Sequence, residues 1–250
     1  VIEELLHVTA TEDFAVVVGV NGSTDRTAEV AAAYPVLVAT TERRGYGHGC
    51  QAAVDHLTNV YPSIAAYVFF AGDGASDPRD VHRLVAAFRD GNQLVLGTRT
   101  TRTRNWRAMT FRHVLANFAL GLWCGVLTGR FFTDLGPLRL IERRLFERMS
   151  LREMTFGWTI EAQIAAARFD APILEVPVRE RLRIGGQQKV SGVNWRRTLS
   201  IGCKIVAAGY RARMRHRVST ADAFGETSGA APVVVGDQPA GAPAAAFSRS

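Results

Sequence analysis

Between Phe14 and Gly97, short apolar runs alternate with helical patterns, and few folds accommodate that alternation. Phe14–Gly19, Val36–Ala39, Ala66–Ala71 and Leu94–Gly97 read as buried strands. Thr24–Tyr34, Gly49–Tyr61 and Pro78–Arg89 carry the helical patterns between them. Repeated strand–helix–strand units imply an α/β fold with a mostly parallel sheet flanked by helices. Such crossovers are right-handed, and ligands gather at the carboxyl ends of the strands.

Further along, the sequence predicts a long helix near Ala108–Thr128, a short strand near Pro137–Ile141, a helix near Thr159–Arg168 and a strand over Ile173–Val178. A basic loop and an amphipathic helix near Asn194–Arg217 follow. From Val218 the composition turns to Ala, Gly, Pro, Ser and Thr, which predicts a disordered tail. The expected organisation is therefore a domain over 1–192, a basic helix over 193–217 and a tail over 218–250. Val114–Phe132 is mostly apolar, but Asn117, Arg130 and three glycines interrupt it. It reads as a buried or interfacial helix rather than a membrane span.

The formal charge of +7 favours acidic partners: nucleotide phosphates, nucleic acid or anionic lipid. Cys50, Cys124 and Cys203 lie far apart, without zinc or redox spacing, and read as reduced thiols in a cytosolic setting. The opening Val1-Ile2-Glu3-Glu4 is not a natural initiator, and the chain reads as truncated there.

Three stretches carry candidate chemistry. In VVVGVNGSTDRT a strand runs into the turn Asn21-Gly22, and Ser23, Thr24 or Asp25 can cap the next helix. This is either a well-capped turn or a strand tip where Asn21 meets a nucleotide, and both can hold at once. In GYGHGCQAAV, Gly45, Gly47 and Gly49 let the backbone approach a ligand, and the helix that follows offers free N–H groups to an anion. The stretch matches neither a P-loop nor GxGxxG, and His48 reads as a solvated loop residue. In FFAGDGASDP a buried strand ends in two carboxylates among glycines. Asp73 sits where the strand emerges and suits a divalent cation that also takes phosphate oxygens. Asp77, before Pro78, reads as a helix cap.

NGSTDRT, RGYGHGCQAA, GDGASDP, VLGTR, TDLGPLRLI and RIGGQQKVSG, in this order, resemble family 2 glycosyltransferases, and more narrowly the bacterial branch related to dolichyl-phosphate mannose and glucose synthases. The resemblance covers about Val16 to Gly192. It implies a GT-A (Rossmann-like) fold and an inverting transfer of a hexose from a UDP- or GDP-hexose to a polyprenyl phosphate, with Mg²⁺ or Mn²⁺ as cofactor. It places Asn21, with Gly22, Ser23 and Gly47, at the nucleotide and Asp73 at the metal. Arg99 falls near the donor phosphates, and Asp134 and Arg139 around acceptor and diphosphate. Lys189 and Ser191 fall in a loop that closes over the substrates.

Ala71 stands where the family's first metal carboxylate usually is, and Val20 where a nucleotide aspartate often is. The family's first strand is missing, and Val1–Val8 looks like the helix that follows it. Glu161, in FGWTIEAQ, offers a base if the acceptor is a hydroxyl; a phosphate acceptor needs none. Trp158, three residues before it, is either packing or part of the acceptor side. The cations of 194–217, with an apolar face, predict binding to an anionic membrane surface, hence a cytoplasmic protein peripheral on the inner face of the plasma membrane. No nucleic-acid motif accompanies them. The alternatives are the same fold glycosylating a soluble or protein hydroxyl, and a non-catalytic sugar-nucleotide-binding protein.

Overall fold

A computed structural model describes residues 1–10, 14–23, 25–109, 111–182 and 195–216, with side chains of the last segment from Ser200 onward. The expected loop holding Lys189 and Ser191 and the expected tail over 218–250 lie outside the described residues. In chain order the elements are α1 (Ile2–Thr9), β1 (Val17–Asn21), α2 (Thr27–Ala32), β2 (Leu37–Thr41), α3 (Tyr46–Val60), β3 (Ala66–Phe69), α4 (Asp80–Arg89) and β4 (Leu94–Thr98). A 3₁₀ turn (Thr103–Arg107), α5 (Phe111–Thr128), β5 (Arg139–Glu142), α6 (Arg143–Met149), α7 (Trp158–Arg168), β6 (Ile173–Pro177) and α8 (Trp195–Arg215) complete them.

The strands form two sheets. β1 pairs β2 in parallel, from Val17↔Leu37 to Asn21↔Thr41. The larger sheet runs β3-β5-β4-β6. β4 and β6 are parallel, but β5 runs antiparallel to both β3 and β4. The expectation of a mostly parallel sheet therefore fails at β5. The long excursion through α5 brings the chain back from the opposite end, and β5 inserts between two strands already aligned. Among the described residues no strand joins β1 to β3. A cavity of about 860 Å³ fills that parting, lined by apolar residues including Leu5, Val18, Val54 and Tyr67.

Period-two alternation sorts the larger sheet's side chains onto two faces. Tyr67, Phe69, Leu94, Leu96 and Ile141 enter one core with α6, α7 and Trp158. Val95, Leu140 and Val176 enter another with Val81, Leu84 and Val85 of α4. α7 is buried almost all round, with Ile160, Ala162, Ile164, Ala165 and Ala166 fully enclosed. α8 lays Ile201, Ala208 and Ala212 into the protein, and α7 and α8 pack together. On the same helix Val206, Tyr210 and Met214 remain exposed.

Candidate active site

Strand directions assemble the site. The carboxyl ends of β3, β4 and β6 and the amino end of β5 share one edge of the larger sheet. Asp73 follows β3, Arg99 follows β4, Asp134 and Arg139 precede or open β5, and Glu180 follows β6. Five chemistry-bearing residues thus come from four separate chain segments to one edge.

The turn after β3 is built for Asp73. Gly74 has φ +77°, which a Cβ would resist, and Asp73 Oδ1 accepts from Ala75 N at 3.1 Å. Backbone pairing fixes the turn from outside, since Ser76 bridges Glu180 and Arg181 N donates to Ala75 O at 2.7 Å. α4 starts at Asp80 with no side-chain cap, so the cap expected of Asp77 is absent; Asp77 Oδ1 instead accepts from Arg79 N at 3.1 Å in the turn before α4. The Arg79 side chain beside it, with Arg181, holds its carboxyl well below the usual carboxylate range.

Asn21 and Asp73 both line the cavity between the sheets, at its strand-tip end. Asn21 Nδ2 donates to Gly45 O at 2.6 Å and so ties the tip of β1 to the start of α3. Asp25 accepts from Thr27 N at 3.0 Å and from Ser23 Oγ at 2.7 Å, which orders the turn, while α2 itself starts after Arg26 with no side-chain cap. Gly22 N donates to Thr41 O at 2.7 Å. α3 begins at Tyr46, so Gly47, His48 and Gly49 lie in its first turn rather than in a loop. No side chain caps that helix start. Gly47 is needed there because a Cβ would lie 2.6 Å from Trp158 Cδ1. Trp158 itself is fully buried, edge-on to Tyr46 and Phe69, which is its packing reading.

Arg99 is clamped between two carboxylates. Its Nε and Nη2 donate to Asp134 Oδ2 and Oδ1 at 2.8 and 3.0 Å, and its Nη1 to Glu180 Oε1 at 3.2 Å. Burial works against the Arg99 charge, but Asp134 and Glu180 more than offset it and hold its pKa above the ordinary value. Asp134 is therefore committed to Arg99, where it positions the guanidinium. Arg139 is fully buried, with Nη1 donating to Thr159 O at 3.1 Å and Nη2 to Gly136 O. It stacks on Trp158 at 5.6 Å and has no carboxylate ion-pair partner among the described residues. Burial lowers its pKa.

Glu161 is a structural carboxylate. Oε2 accepts from the backbone N of Arg152 and Glu153 at 2.8 and 2.7 Å, and Oε1 from Arg215 and from His216 at 3.4 Å. Burial alone would raise its pKa, yet these donors and the Arg215 charge bring it below the ordinary value. With both oxygens taken, it is not the base expected from the sequence.

Glu180 is the residue sequence reasoning missed. Burial raises its pKa; Arg99 lowers it only in part, and the charges of Asp134 and Asp73 raise it further. Its Oε2 is buried with no hydrogen-bond partner among the described residues.

The metal expectation rests on Asp73. Among the described residues no three His, Cys, Asp or Glu side chains come together, so an all-protein cage is excluded there. Asp73 is half-buried and lines the cavity between the sheets. One carboxylate at a cavity wall fits Mg²⁺ or Mn²⁺ bound chiefly through water and phosphate oxygens.

The family model described as Glycosyl transferase family 2 matches residues 1–150. The uncharacterized glycosyltransferases Rv0539 of Mycobacterium tuberculosis and Mb0553 of Mycobacterium bovis are each 30% identical over 186 residues, covering 69% of this chain and 76% of theirs. Glucosyl-3-phosphoglycerate synthase from Mycobacterium tuberculosis, solved with Mn²⁺, uridine diphosphate and phosphoglyceric acid, is similar in fold. Its TM-score is 0.63 at 19% identity, covering 85% of this chain and 73% of that one. A second structure, described as a mycobacterial protein, has a TM-score of 0.59 at 20% identity, covering 86% of this chain and 70% of that one.

Proposed function

The chain belongs to glycosyl transferase family 2, and from that premise we propose that it moves a hexose from a UDP-type nucleotide sugar to the hydroxyl of a small anionic acceptor, in one in-line displacement. The observation that carries the donor half is the shared strand-tip edge. Asp73, at that edge, lines the same cavity as Asn21 of β1 and the uncapped start of α3. Free N–H groups at a helix start favour a diphosphate. Asp73 would hold Mg²⁺ or Mn²⁺, which supplies positive charge to the leaving diphosphate. Arg99, fixed in place by Asp134, presents a cation that needs no reorganisation as charge develops. Arg139 supplies a second, buried positive charge behind it.

A hydroxyl acceptor needs a proton removed. Glu180 is the carboxylate suited to it, being held above the ordinary range beside Arg99 with one oxygen unpartnered. The solved neighbour that holds phosphoglyceric acid supports an acceptor of this chemistry.

The second reading is transfer to a polyprenyl phosphate, in the manner of the dolichyl-phosphate sugar synthases. One observation favours it: Asp134 and Glu161, the carboxylates of this region other than Glu180 and Asp73, are both committed to the fold. An acceptor phosphate, already an anion, needs no base. The deciding experiment offers radiolabelled UDP-glucose and GDP-mannose with Mn²⁺, and either phosphoglyceric acid or a polyprenyl phosphate. Sugar on phosphoglyceric acid supports the first reading, and sugar only on the lipid phosphate supports the second. Nucleotide binding without transfer to either favours a non-catalytic binding protein.

A further inference from the structure

We propose that the outward side of α5 is a docking surface for an anionic phospholipid bilayer. α5 exposes Phe111 (70%), Leu115 (59%), Phe118 (42%), Leu122 (56%) and Val126 (65%). At 100° per residue these fall within one narrow stripe along the helix. Soluble monomers seldom expose a continuous apolar patch of more than a few hundred Å², and larger ones mark binding surfaces.

The opposite side of α5 is fixed to the protein. Val114, Gly121, Cys124 and Leu127 are buried, and a Cβ on Gly121 would lie 1.8 Å from Phe132 O. The helix therefore lies against the body of the protein and offers one face, which is the geometry of an interfacial helix rather than of a span.

Charge selects the occupant. From Gly91 to Thr133 the chain contains six arginines and no Asp or Glu. Arg104 and Arg107, in the 3₁₀ turn, and Arg112, in the first turn of α5, are exposed and have no carboxylate partner among the described residues. Trp106, 43% exposed, stands among them. An apolar stripe headed by unpaired arginines and an indole complements an anionic headgroup layer. A second copy of the same surface would set these cations against each other or leave them idle.

Three cations of α8 are already engaged within the fold. Arg211 pairs with Glu153 at 2.7 Å, Arg215 with Glu161, and Arg213 donates to Leu127 O. They tie the helix to the fold. The surface proposed here is independent of which acceptor is glycosylated.

Vesicle flotation of the full chain tests it, with phosphatidylglycerol–phosphatidylcholine vesicles against phosphatidylcholine alone. Binding to the anionic vesicles at low salt, about tenfold weaker on neutral ones and falling as salt rises, is expected. The Leu115→Ser/Leu122→Ser pair and the Arg104→Gln/Arg107→Gln/Arg112→Gln triple should each remove most of it. Arg211→Ser should not. Thermal melts check that each variant folds, which exposed positions allow. No flotation at low salt, equal flotation on both vesicles, or flotation untouched by the α5 variants would overturn the proposal. So would a dimer in sedimentation equilibrium that Leu115→Ser/Leu122→Ser splits while vesicles are ignored; the stripe would then be a contact between copies.

Discussion

Asp134 accepts three hydrogen bonds from Arg99: backbone N and Nε on Oδ2, both at 2.8 Å, and Nη2 on Oδ1 at 3.0 Å. The side chains are 1% and 15% exposed, so the pair sits mostly out of water. Removing one member strands the other's charge. Asp134→Ala should lose about 3 kcal/mol or more of unfolding free energy. Arg99→Lys keeps a charge but loses the planar fork, and should cost less stability than Asp134→Ala while still lowering transfer. Urea unfolding of both variants measures the difference. An Asp134→Ala loss below about 1 kcal/mol would mean the pair is weak and Arg99 is not held for catalysis.

Glu161 makes an opposite claim, for stability without chemistry. Its folded pKa lies below the ordinary 4.5. A depressed carboxyl stabilises the fold above its unfolded pKa, and that contribution is lost as pH falls through the folded one. Wild-type stability should therefore drop below about pH 4.5, and Glu161→Gln should flatten that part of the profile. At neutral pH the variant should be about 2 kcal/mol less stable, since the charge facing Arg215 and His216 is gone. Transfer per folded molecule should stay within a few-fold. A loss of a hundredfold or more would restore Glu161 as a base.

The contrast between these carboxylates explains what the sequence could and could not tell. β1, β2, β3, β4, α3 and α4 were legible because local periodicity marks them. α6 was not, because Arg143 follows β5 with no Gly or Pro between them. The reversal of β5 was hidden too, since strand order is settled by partners far away in the chain. Asp73, Arg99 and Asp134 could be picked out through family resemblance, and the structure brings them to one edge. Glu180 looked like a lone acid in a run of arginines. A signal was present: it is in phase with Val176 and Val178, both buried, so period two already turned it inward. The engagement of Arg211 and Arg215 of α8 was hidden for a related reason. Charge pattern along one helix does not reveal that Glu153 and Glu161, on other segments, come to meet it.

The metal assignment predicts a clean loss of binding. Asn in place of Asp73 can still accept from Ala75 N, so the turn should survive. Asp73→Asn should leave the melting temperature within about 2 °C yet weaken Mn²⁺-dependent UDP binding at least tenfold by calorimetry. Unchanged affinity would move the metal away from this carboxylate.

Close packing at Gly121 predicts a large effect from one methyl group. A Cβ would fall 1.8 Å from Phe132 O, and backbone rather than a flexible side chain has to move. Gly121→Ala gains helix propensity worth about 1 kcal/mol. Overpacking should outweigh it, for a net loss of about 2 kcal/mol in chemical denaturation. A stabilised variant would show that α5 can shift off the 131–132 backbone.

Glu180 decides the acceptor. With a hydroxyl acceptor its carboxylate removes the proton, and Glu180→Gln should cut kcat about 10²- to 10⁴-fold. Burial raises its pKa, with Asp134 and Asp73 adding to the effect. Activity should therefore rise with pH through a value above the ordinary carboxylate range, and the residual activity of the variant should lose that acid limb. A purely structural Glu180 would not behave so, because the amide oxygen of Gln can still accept from Arg99 Nη1. The raised pKa also means that ionised Glu180 is no net asset to the fold, so the variant should melt near the wild type. With a polyprenyl phosphate as acceptor there is no proton to remove, and the same variant should keep its rate within a few-fold and its pH profile unchanged.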